Sequence, residues 1–69
     1  MNEWLTTRAA ALGVTPLTPD EISLLLNLAG DAAHESGART NAPLLCYLVG
    51  RAQGSRSLEE LAEIVRSTS

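Results

Sequence analysis

Lysine is missing altogether from this 69-residue chain, and its five basic side chains are the arginines Arg8, Arg39, Arg51, Arg56 and Arg66, set beside eight acids for a net charge of -3. A phosphate backbone is held by a concentrated basic face that releases counterions. Here only Arg51 and Arg56 fall near each other, around a loop, so nucleic acid is not the expected partner. The chain has one cysteine, Cys46, which cannot form an internal disulfide, and one histidine, His34. Together they fall short of the four ligands of a structural zinc site, so neither a metal nor a cofactor is expected, and a reducing cytoplasm suits the free thiol best. Long apolar runs are also absent. No stretch approaches the roughly 20 residues of a membrane span, and the segment from Met1 to Arg8 has neither the basic start nor the apolar run of a signal peptide. The expectation is a cytoplasmic protein with no membrane partner.

Two further absences narrow the function. The glycines Gly30, Gly37, Gly50 and Gly54 stand singly, without the clustering that exposes backbone amides to phosphate, so nucleotide binding by this chain alone is not expected. A small acidic helical chain also invites comparison with acyl and peptidyl carrier proteins, whose attachment serine follows an aspartate at a helix start. Ser36-Gly37 and Ser57-Leu58 have the wrong neighbours for that role.

What is present points to a small folded domain. Hydrophobic residues make up 45% of the chain and charged residues 19%, too apolar and too weakly charged for a disordered polymer. Residues 1–69 are read as one domain. A domain of this size buries only about 60% of the surface its unfolded chain exposes, so contact with a partner would add useful burial.

The periodicity reads as an all-α fold, a compact bundle of about four short helices. Asn2 caps a first helix running to about Leu12, with Leu5, Ala9 and Leu12 on one face, and Gly13 stops it. Val14 to Leu17 is an extended connector, because the residue before Pro16 avoids helical geometry. Thr18-Pro19-Asp20-Glu21 is a capping box with proline at the first helical position, and Leu17 and Ile22 can staple the entry. The second helix, ended by Gly37, has a broad face of Ile22, Leu25, Leu26, Ala29, Ala32 and Ala33. Leu24 and Leu28 widen this to an arc of roughly 200°. Thr40 or Asn41 caps a third helix whose expected buried stripe is Leu44, Leu45, Leu48, Val49 and Ala52, and Gly50 inside it implies close packing against a neighbour. Gly54 ends it. Ser57-Leu58-Glu59-Glu60 repeats the capping pattern before an amphipathic fourth helix carrying Leu58, Leu61, Ala62, Ile64 and Val65. No strand-like alternation interrupts this pattern.

Catalysis is not expected. Asp31, His34 and Glu35 lie within two turns, but a bundle metal site needs such a motif from two helices, and a solvated polar stripe with Arg39 offsetting the acids is the simpler reading. Cys46 would need a base, and His34 is the sole candidate. The residues most suited to partner contact are Trp4, Leu24 and Leu28, docking on another protein or on a second copy of the chain. A rival reading places a small molecule between the second and third helices, with His34, Arg39 and Tyr47 as polar contacts.

The segments Trp4-Leu5, Ala10-Ala11-Leu12-Gly13-Val14, Leu17-Thr18-Pro19-Asp20-Glu21, Ala33-His34, Ala42-Pro43-Leu44 and Tyr47-Leu48-Val49-Gly50-Arg51-Ala52 resemble an uncharacterised family of small bacterial helical domains. Members of that family occur alone or joined to the C-terminal side of molybdenum-cofactor guanylyltransferases. The resemblance implies a non-catalytic accessory role near that pathway, and it carries over no active-site residue.

Overall fold

A computed structural model describes residues 2–68. Its helices, in chain order, are α1 (Glu3–Leu12), α2 (Pro19–Ser36), α3 (Asn41–Gln53) and α4 (Leu58–Ser67). Among the described residues there is no strand, and the fold is all-α.

Three of the four helices start on a side chain that accepts an otherwise unpaired backbone N–H. Asn2 Oδ1 accepts from Leu5 N–H at 2.9 Å, and Ser57 Oγ accepts from Glu60 N–H at 3.1 Å. At α2 the box is reciprocal: Thr18 Oγ1 accepts from Glu21 N–H at 3.1 Å while the Glu21 carboxylate accepts from Thr18 N–H at 2.9 Å. Helix α3 departs from expectation. Thr40 precedes it with φ -65° and ψ -20°, already helical, and makes no side-chain cap; Asn41 lies inside the helix. The entry is instead a tight turn in which Asn41 N–H donates to Ala38 O and Ala42 N–H to Arg39 O, both at 3.1 Å. Pro43, which has no N–H, removes one of the donors a cap would have to satisfy.

The core is built where α2, α3 and α4 meet. Leu28 of α2, Val49 of α3 and Leu58, Leu61 and Ala62 of α4 are buried together, with Leu24, Leu25, Leu45 and Val65 packed around them. Each of these three helices packs on the other two, whereas, among the described residues, no Cα of α1 comes within 8 Å of another helix. Ala9 of α1 is nevertheless buried, because the connector folds back and Val14 N–H donates to Ala9 O at 3.0 Å.

The structure corrects several expectations about which faces are inside. Leu28, expected on a contact surface, is the most deeply buried large side chain, 1% exposed, while Leu26, expected in the buried face, is 67% exposed. A face centred on Ala29, Ala32 and Ala33 buries little side-chain area. Weighted by area, Leu24, Leu25 and Leu28 dominate, and a buried leucine contributes about 1.5–3 kcal/mol where an alanine offers a single methyl. In α3, Leu45 and Val49 face the core, but Leu44, Leu48 and Ala52 of the expected stripe are exposed. Gly50 is not closely packed: nothing lies within 4 Å of where its Cβ would stand. Asp31 pairs with Arg66 of α4 at 3.5 Å rather than with Arg39, and since both side chains are about half exposed the pair contributes at most about 1 kcal/mol.

Candidate functional site

The most distinctive surface lies between α3 and α4. Leu44, Leu48 and Ala52 recur every four residues along α3 and so form one strip, set to the side of the Leu45 and Val49 face that meets the core. Facing this strip across an open groove are Ile64 and Val65 of α4. One section of the groove, about 510 Å³, runs past Leu44, Leu45, Leu48 and Val65 toward the end of α2, where Glu35, Ser36, Asn41 and Thr68 supply a polar rim. A second section, about 200 Å³, continues past Ala52, Leu61 and Ile64 to Arg56. Leu45, Leu48 and Val65 line both, so the groove is continuous.

Its walls are apolar and accessible: Leu44 is 61% exposed, Leu48 55% and Ile64 47%. Its two ends carry opposite charge, Glu35 at one and Arg56 at the other. Arg56, in the loop after α3, is held to the end of that helix, donating from Nη2 to Ala52 O at 2.7 Å. On the outer side of α3, Arg51 lies over the Tyr47 ring, 5.8 Å from its centroid. Chemically such a groove can take an apolar helix or chain segment and orient it by charge.

The residues singled out from the sequence are placed apart from it. Trp4 is exposed on α1 with the Arg8 guanidinium 4.1 Å from its ring centroid. Leu24 is half-buried against the core and Leu28 is inside it, so of the three expected contact residues Trp4 alone is presented to solvent. His34, Arg39 and Tyr47, the polar contacts of the small-molecule reading, are all exposed and none lines the groove. Cys46 is half-buried beside a separate cavity of about 170 Å³ shared with Leu17, Glu21 and Leu25, and His34 does not line it. Among the described residues no group of three or more His, Cys, Asp or Glu side chains could hold a metal ion. No helix among them is long and apolar enough to cross a membrane.

Leu44, Leu48 and Ile64 were missed as surface residues because each obeys helical periodicity. The available signal was width. The apolar residues of α3 from Leu44 round to Val49 span roughly 140° at about 100° per residue, wider than the roughly 100° stripe that one core-facing side needs.

Fold and groove define a small all-α domain with an open apolar face. The chain belongs to the family described as "Domain of unknown function (DUF6457)", whose match covers residues 1–69. In the same comparisons no curated protein and no solved structure matches the chain.

Proposed function

We propose that this chain is a non-catalytic, cytoplasmic helical module whose α3–α4 groove docks on another protein chain, in service of molybdenum-cofactor maturation. The observation that supports the docking role is the groove itself, with Leu44, Leu48 and Ile64 open to solvent in a chain whose buried core holds one leucine from α2, one valine from α3 and three residues from α4. Monomeric proteins rarely leave a large contiguous apolar patch uncovered, and such patches mark contact sites. The link to the cofactor pathway rests on the family resemblance described above.

The test is a titration of the purified chain with a molybdenum-cofactor guanylyltransferase, followed by calorimetry. Native chain is expected to bind, and Leu44→Glu with Leu48→Glu to weaken binding at least tenfold while keeping the helical circular-dichroism signal, since both positions are exposed. Absence of binding by the native chain would remove the link to that pathway.

A second reading, a small-molecule binder, is favoured by one observation: the larger groove section of about 510 Å³ lies within the range of ligand sites, about 300–1,000 Å³. Its polar contacts would then be Glu35, Ser36, Asn41 and Thr68 rather than His34, Arg39 and Tyr47. A ligand of the native state must raise Tm as its concentration rises. A thermal-shift screen against pterins, nucleotides and molybdate that stays flat eliminates this reading.

A further inference from the structure

We propose that the α3–α4 face packs on the same face of a second copy of this chain, the two related by a two-fold axis that crosses the groove at Leu48. This rests on the docking reading of the groove and names its partner.

Two charged side chains line the groove, of opposite sign and at opposite ends: Glu35 in one section and Arg56 in the other. A two-fold axis that lies in the face and crosses the groove exchanges those ends. Glu35 of each copy then comes to the end that holds Arg56 of the other. The face is complementary to itself in this orientation, as an isologous interface requires. Both groups have the capacity to pair. Among the described residues Glu35 makes no ion pair, and Arg56 uses Nη2 on Ala52 O while a guanidinium offers five N–H donors. Arg39, Arg51 and Glu60 are exposed nearby but outside the lining, so the groove itself presents one acid and one base.

Side-chain volume selects the same axis. Leu44, Leu48 and Ala52 form the exposed strip of α3, and Leu44 and Ala52 lie about 6 Å to either side of Leu48. Rotation about an axis perpendicular to this strip at Leu48 runs the two α3 helices in opposing directions, with Leu44 of each copy opposite Ala52 of the other. Large then faces small at both outer positions, the pairing that lets facing layers interdigitate. An axis along the strip would instead stack Leu44 on Leu44, leave a gap between two alanines, and set Glu35 against Glu35 and Arg56 against Arg56. Charge and volume thus favour one arrangement independently.

The test is light scattering across a concentration series on the native chain, on Leu48→Glu, on Glu35→Arg, on Arg56→Glu and on an equimolar mixture of the last two. All three positions are exposed, and circular dichroism will confirm that each variant keeps its helices. The native chain is expected at twice the 7.3 kDa chain mass, and Leu48→Glu, which sets two carboxylates face to face at the axis, at the monomer mass. Each charge reversal sets like charges together at both ends and should weaken the dimer on the order of tenfold or more. In the mixture a chain with two bases meets a chain with two acids, opposite charges face each other at both ends, and affinity should approach the native value. Leu48→Glu and Glu35→Arg decide the matter even if Arg56→Glu, which loses its bond to Ala52 O, unfolds. A native monomer at all concentrations overturns the proposal, and the docking reading is then decided by the transferase titration alone. A dimer that survives Leu48→Glu, one indifferent to the reversals, or a mixture of folded variants no tighter than its components, overturns it as well.

Discussion

Leu28→Ala is expected to remove about 2–5 kcal/mol of stability, the usual cost of a leucine-sized deletion at a fully buried site. The residue is 1% exposed and joins all three packed helices through Val49, Leu58, Leu61 and Ala62. Domains have about 0.05–0.15 kcal/mol of stability per residue, which gives this chain roughly 3–10 kcal/mol in total. The variant should therefore be partly or largely unfolded at 25 °C. Leu26→Ala, two residues away on the opposite side of α2 and 67% exposed, should change stability by no more than about 0.5 kcal/mol. Urea denaturation followed by circular dichroism separates the two. Equal effects would mean that α2 is rotated from the orientation described.

Alanine substituted at two glycines four residues apart should act with opposite sign. Gly50 is mid-helix in α3, with open space where a Cβ would stand, and replacing an interior glycine by alanine adds about 1 kcal/mol. For a domain of this size that raises Tm by about 4–8 °C. Gly54 ends the same helix at φ 51° and ψ -121°, outside the regions that side-chain-bearing residues adopt. Forcing alanine there costs about 1–3 kcal/mol. Thermal melts of Gly50→Ala and Gly54→Ala should therefore diverge from the native value in opposite directions. A destabilised Gly50→Ala that still folds would show that something covers that position, which among the described residues of one chain nothing does.

Much of the fold was legible in the sequence because its signals are local. The box at Thr18 and Glu21 and the cap at Asn2 each depend on residues three positions apart and form as read, while the box pattern at Ser57 forms in its hydroxyl half, Ser57 Oγ accepting from Glu60 N–H. The choice of faces was not local. Whether Leu26 or Leu28 is inside depends on where α3 and α4 lie, and periodicity gives a helix's arc without its docking direction. Leu44 and Leu48 were read as core for the same reason. A helix stripe is apolar whether it meets its own bundle or another chain, and the two cases differ in tertiary placement alone. Gly50 illustrates the same limit from the other side, since a glycine in a helix suggests close packing until the neighbouring space is seen to be open.

The central claim, that the α3–α4 face is a contact surface, is tested most directly by amide hydrogen exchange on the purified native chain, at low and high concentration and with the guanylyltransferase added. The account predicts slower exchange confined to residues 44–52 and residues 61–68 as a partner occupies the groove, with the Leu26 side of α2 unchanged. Exchange in those segments that responds neither to concentration nor to the added protein would contradict it.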